Sequence, residues 1–189
     1  MTIYAMTTQA ASRPDTLDSI QQRAAGLHAV ISVPKFETTT NEIPESVRQT
    51  IAEGNAVLDK VGALKAGKVT FENTIRTLDD LSHRLSLTAN RLALIKETST
   101  NEGMRETATV SIKELQEWMV GLDYREDVYK SVKAYADTKP KLAGEDAKLL
   151  AETLRDYRRA GLALPRAQRD EVERMRKELT RLATDFESN

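Results

Sequence analysis

From residue 41 to the end of the chain, apolar residues return at steps of three and four, the spacing that lines one face of an α-helix. Val47, Ile51, Leu58, Val61 and Leu64 form the first stripe, from Asn41 to about Ala66. Phe71, Ile75, Leu78, Leu81, Leu85, Ala89, Leu92 and Ile95 form the second, and Met104, Ala108, Ile112, Leu115 and Met119 a third, with Trp118 beside it. A shorter stripe runs through Tyr124, Val128, Val132 and Tyr135, and another through Leu150, Leu154 and Tyr157. The last, Val172, Met175, Leu179, Leu182 and Phe186, is a heptad seam. It covers only about two heptads, which favours burial in an intramolecular core over a free-standing coiled coil.

Capping and breaking residues set the bounds. Asn41 is the expected cap of the first helix, with Pro44 in its first turn and Gly67 as its stop. Thr70 caps the second, Asn101 or Thr100 caps the third, and Gly121 ends it. Asp123 caps the fourth, which the Lys139-Pro140 pair stops. The fifth runs from about Gly144 to Ala160, with Gly161 placed for a left-handed cap, and Pro165 opens the last. There, Asp170 with Arg174 and Glu173 with Lys177 place acid before base at i,i+4.

Residues 1–40 are less regular. Asp15 to Ile31 carries a short helical face weakened by Gly26, and Val33-Pro34-Lys35-Phe36 reads as extended chain. The expected fold is all-α: a poorly defined segment 1–40, then a bundle of about six helices with antiparallel neighbours over 41–189, ending in a long C-terminal helix. The seam reaches Phe186, close to the final residue Asn189, and reads as an element cut short.

Composition narrows the function. Twenty-eight basic against 29 acidic residues, a net charge of -1, removes the overall attraction that nucleic-acid binders carry. The absence of cysteine excludes disulfides, a thiolate nucleophile and Cys-based zinc or iron-sulfur sites. No apolar run approaches the roughly 18 residues that span a bilayer. Met1 to Ala11 lacks the basic start and apolar stretch of a secretory signal, so a cytoplasmic protein without nucleic-acid or membrane partners is expected.

The chemical inventory is thin. Neither His28 nor His83 begins an H-E-x-x-H, the spacing that sets two zinc ligands on one helical face. Asp79-Asp80 and Glu145-Asp146 are adjacent in sequence and so diverge on a helix, as solvated or first-turn acids do. No phosphate-binding glycine loop and no G-x-S-x-G occurs. Arg155, Arg158, Arg159, Arg166 and Arg169 gather around Gly161, where cations near a helix C-terminus have a dipole reason to be. No catalytic, cofactor-binding or metal residue is assigned in this chain.

One stretch is distinctive: LLAETLRDYRRAGLALPRAQRDEVERMRKELTRLATDFESN, Leu149 to Asn189, with Tyr157, Arg158, Arg159, Ala160, Gly161, Leu164, Pro165, Phe186 and Asn189 in order. It resembles the N-terminal region of the zinc metallopeptidase family that includes thimet oligopeptidase, neurolysin and oligopeptidase A. TFENTIRTLDDL, Thr70 to Leu81, and YREDVYKSV, Tyr124 to Val132, resemble two earlier helices of that region, so the likeness runs from about residue 40 to 189. The resemblance implies a non-catalytic helical wall of a channel that admits short peptides. It also implies zinc, its ligands and the activity in a catalytic domain absent from this chain, which would be inactive alone and would have that domain as its partner. The alternative is a free-standing helical interaction module that holds a protein through the C-terminal seam or the arginine cluster.

Overall fold

A computed structural model describes residues 16–29 and 34–187. Among these residues the chain is helical and carries no strand, in agreement with the all-α expectation. The helices are α1 (Leu17–Gly26), α2 (Glu42–Gly62), α3 (Thr77–Thr98), α4 (Glu102–Leu122), α5 (Glu126–Asp137), α6 (Gly144–Arg159) and α7 (Arg166–Glu187). Helix α1 belongs to a unit of residues 1–35, and the other helices to a second unit that begins at Phe36.

Helix α1 is shorter than the sequence suggests. The Thr16 hydroxyl accepts the Ser19 N–H at 3.3 Å to start it. At the far end the Ala29 N–H donates to Ala24 and the His28 N–H to Ala25, with His28 at φ 56, so a left-handed cap ends the helix at Gly26. The expected continuation through Val30 and Ile31, and Val33 of the extended stretch, lie outside the described residues.

In the second unit α2, α3 and α4 pack on one another, α5 packs on α2 and α6, and α7 lies on α4. Two apolar clusters hold this bundle. The first gathers Leu58, Val61, Ile75, Leu81, Leu85, Val128, Val132, Tyr135, Tyr157 and Leu162, and the second Ile43, Val47, Leu92, Ile95, Met104, Ala108 and Leu115. Trp118 and Met119 pack against both. The Trp118 ring lies so close to Gly54 that any Cβ there would overlap it, and its indole N–H donates to Asn55 Oδ1 at 3.2 Å. The second cluster is closed by a buried ion pair. Arg91 Nη2 reaches Glu37 Oε1 at 3.0 Å, with the two side chains 18% and 7% exposed, and donates to the Ser46 hydroxyl at 3.1 Å.

Several helix ends follow the sequence. Asn101 Oδ1 accepts the Met104 N–H at 3.3 Å. Thr70 and Asn73 cap each other reciprocally, at 3.2 Å and 2.8 Å. That cap opens a single wide π turn, Glu72–Arg76, in which the Arg76 N–H reaches the Phe71 carbonyl at 3.0 Å before regular α3 begins. Gly161, at φ 92, ends α6 as expected: its N–H donates to Arg158, the Leu162 N–H donates to Tyr157, and Leu162 is buried in the same cluster as Tyr157.

Others are corrected. Asn41 makes no cap bond, because Thr39 and Glu42 already satisfy the start of α2: the Thr39 hydroxyl accepts the Glu42 N–H, and the Glu42 carboxylate accepts the Thr38 and Thr39 N–H groups. Helix α2 stops at Gly62 rather than near Gly67, and at Gly62 the Asp127 carboxylate of α5 occupies the space a Cβ would need. Gly121 lies inside α4, and Asp123 sits at the C-terminal end of that helix instead of capping the next. Before α5 stands Arg125, whose guanidinium grips Asp127 at 2.6 Å and Asp59 at 2.8 Å. On α7, Glu173 pairs with Lys177 at 2.7 Å as expected, whereas Arg174 turns to Glu171 and Asp170 to Arg166.

Two outcomes follow for stability. Gly54→Ala is expected to lower unfolding free energy by about 1–3 kcal/mol through the forced shift of Trp118. Gly121→Ala, with nothing near the added Cβ, is expected to raise it by about 0.5 kcal/mol; urea titration of both variants separates crowding from helix propensity. Burial pushes the Glu37 carboxyl up, but hydrogen bonds from Arg91 and Ser46 outweigh it and hold the group below its ordinary range. Its stabilisation is therefore present above the ordinary glutamate range and lost as pH falls through the lowered value. Arg91→Met should cost about 3 kcal/mol at neutral pH, and Glu37→Gln should flatten the acid side of a stability–pH profile.

Candidate functional site: a carboxylate-edged cleft and an uncovered helix face

The first cluster does not close completely. Between α3, α4 and α6 it leaves an open cleft of about 370 Å³. Leu78, Leu81 and Leu85 of α3 and Met119 and Leu122 of α4 line its apolar side, because the stripes of both helices turn that way. Its polar edge is formed by Ser82, Asp123, Thr153 and Asp156, with Tyr157 of α6 in its wall. The Tyr157 ring is held against Tyr129, centroids 5.5 Å apart. Among the described residues its hydroxyl makes no hydrogen bond, although the side chain is buried.

The charged groups lining the cleft are both acids, Asp123 and Asp156, and Asp156 is already bonded to Arg155 at 3.0 Å. No lysine, arginine or histidine lines it. Desolvation pushes the Asp123 carboxyl above its ordinary range, Arg176 opposes this, and the nearby Asp156 adds to it. Arg176 of α7 stands 3.7 Å from Asp123, beyond hydrogen-bonding distance. Burial first, then Asp123 and Asp127, push the Tyr157 hydroxyl well above its ordinary range, so it stays protonated.

Helix α7 is the second notable surface. It meets the rest of its unit through polar side chains: Asp185 to Lys113 at 2.6 Å, Arg169 to Glu126 at 3.3 Å, and Arg176 to Asp123. The heptad seam expected in the core is instead turned outward, with Met175, Leu179, Leu182 and Phe186 exposed at 51%, 66%, 51% and 83%. The periodicity specifies that a face be coverable, and here no described element covers it.

The residues weighed for chemistry stay apart. His83 and the Asp79-Asp80 pair are exposed on α3, and His28 is exposed beyond α1. Asp146 faces Arg76 at 3.5 Å while Glu145 is exposed. Among the described residues no group of His, Asp and Glu is arranged to hold a metal ion. Four of the five arginines around Gly161 are engaged by local partners. Arg155 pairs with Asp156 and Glu152, Arg158 donates to the Leu154 carbonyl, Arg166 faces Asp170, and Arg169 turns in to Glu126. The cleft itself is not a sequence expectation, since its edge is assembled from α3, the end of α4 and α6. No helix among the described residues is long and apolar enough to cross a membrane.

Of the motif residues picked out in the sequence, Phe71 and Tyr157 prove to be framework, whereas Leu164 and Phe186 are exposed. Phe71 packs on Tyr135, centroids 6.3 Å apart, and Tyr157 and Leu162 close the same cluster. Asn189 lies outside the described residues. No family model matches the chain. Over 151 residues it is 26% identical to a probable thimet oligopeptidase of Arabidopsis thaliana, covering 80% of this chain and 21% of that protein. It is 23% identical over 167 residues to a thimet-like oligopeptidase of Dictyostelium discoideum, covering 84% and 24%. It is 20% identical over 160 residues to saccharolysin of Saccharomyces cerevisiae, covering 82% and 22%. The chain thus spans less than a quarter of the length of these curated relatives. Over at least 80% of its own length, the chain is similar to these thimet-type oligopeptidases.

Proposed function

We propose that this chain is a helical, non-catalytic domain of a zinc-dependent oligopeptidase that forms part of the wall of a channel for short peptides. The observation that carries the reading is the outward seam of α7 on a chain that matches less than a quarter of each relative. Covering Met175, Leu179, Leu182 and Phe186 would contribute about 5 kcal/mol, given roughly 1.5–3 kcal/mol for each side chain taken fully out of water. In this reading the rest of an oligopeptidase covers them. The zinc belongs to that remainder, because the residues here do not fit it: the sequence has no H-E-x-x-H, and its two histidines lie in different units.

The purified chain is expected to bind no stoichiometric zinc and to cleave no short peptide, as read by metal analysis and a fluorogenic peptide assay. The deciding measurement is an immunoblot of the native gene product with antibody raised against this chain. A band far above 21.1 kDa supports the reading. A band at 21.1 kDa overturns it and favours an interaction module that uses the same α7 face.

The seam itself is testable apart from identity. Leu179→Gln combined with Phe186→Gln should change unfolding free energy by no more than about 0.5 kcal/mol per site. The same variant should lower the fluorescence of a dye that reports exposed apolar surface. A large loss of stability would mean that the seam is covered in solution.

A further inference from the structure

We infer that the cavity between the start of α7, Leu162 and the chain entering α5 is a binding site for a neutral amide of a peptide, whose carbonyl oxygen is taken by Tyr124 and Arg169. The cavity holds about 310 Å³, at the small end of the roughly 300–1,000 Å³ common to ligand pockets. Tyr124 and Glu126 line one side and the first turns of α7 another, and buried Leu162 supplies the apolar surface between them.

Two polar atoms of this wall are buried with no hydrogen-bond partner among the described residues, the Tyr124 hydroxyl and Arg169 Nε. Folded proteins pair nearly all such groups, and here two from separate elements fall on one cavity. The charges around it are already answered. Arg169 Nη2 faces Glu126 at 3.3 Å, and Glu126 also takes Lys130 at 2.8 Å. Glu173 holds Lys177 at 2.7 Å, and Arg166 stands 4.0 Å from Asp170. An ionic ligand would therefore meet no free counter-charge. What is left over is a guanidinium N–H, which can only donate, and a phenol. A carbonyl oxygen, with two lone pairs and no net charge, matches both. The N–H of the same amide has Asp170 as its acceptor, because the 4.0 Å contact with Arg166 is no hydrogen bond. Neither orphan atom is exposed to solvent, so the carbonyl enters as the two side chains part.

This site deepens the peptide-handling reading and rests on it only for the source of the amide. The two fail separately, since the native mass decides that reading and ligand binding to this chain decides the site. The test is a titration of isotope-labelled chain, followed by amide shifts, with N-acetyl-glutamine methylamide, its anionic glutamate counterpart, and N-acetyl-alanine methylamide, which offers backbone amides alone. The glutamine compound should give saturable shifts at Tyr124, Leu162 and Arg169. The glutamate compound should bind at least about threefold more weakly, because its charge meets three acids in the wall. An equal response to the alanine compound would assign the amide to a peptide backbone and a weaker one to a Gln or Asn side chain, and both support the site. Tyr124→Phe should weaken binding by about threefold to tenfold, the loss of one neutral hydrogen bond. The same variant should leave the thermal midpoint level or higher, since it removes a buried hydroxyl without a partner. Arg169→Lys keeps a charge opposite Glu126 but lacks the Nε–H, and should weaken binding by a similar factor. No saturable shift at the cavity, glutamate bound as tightly as glutamine, or a Tyr124→Phe variant with unchanged binding or a lowered midpoint would overturn the assignment.

Discussion

Helix α4 approaches α2 so closely that an aromatic ring lies on the backbone, and this contact between Trp118 and Gly54 holds the bundle as one body. A bundle this size could have split into two halves, each with its own apolar cluster. Trp118 prevents that by packing against both clusters at once, while Asn55 satisfies the indole N–H that would otherwise penalise its burial. The absent side chain at residue 54 is therefore as much a part of the core as the ring that replaces it.

The cleft is a by-product of the same geometry. With α4 drawn onto α2, its end at Leu122 and Asp123 stands beside α3 and α6 without filling the space between them. The end of α6 is pinned by the left-handed Gly161 and by Leu162 folded back on Tyr157, so the cleft wall sits on a rigid terminus rather than on a loop. On the other side Arg125 ties α2 to the first turn of α5 through Asp59 and Asp127. Polar groups thus fix the frame around an apolar floor, the arrangement that ligand sites in helical bundles commonly use.

What was legible in the sequence was what depends on near neighbours in the chain. The Thr70, Asn101 and Gly161 boundaries came through because each is set by bonds within a few residues. Asn41 and Asp123 misled although both have the right chemistry for a cap: Thr39 with Glu42 already satisfies the start of α2, and Asp123 is taken up by the end of α4, two residues before the Arg125 that precedes α5. The seam of α7 was read correctly as a coverable face, yet its expected place in the core was not, because a period of 3.5 names no occupant. The cleft left no trace in the sequence, since Ser82, Asp123 and Asp156 meet only after three separate elements have packed.

Helix α7 is attached to α4 by ion pairs and a few half-buried side chains, whereas α2, α3 and α4 are joined by a dry core. Salt screens the first kind of bond and leaves the second almost untouched. The attachment of α7 is therefore the more salt-sensitive of the two. Backbone amides of α7 should exchange with solvent through a local opening that becomes easier as ionic strength rises, while those beneath Trp118 wait for global unfolding. A helix held in this way is a detachable strut, able to take its final position only when something apolar meets its other side.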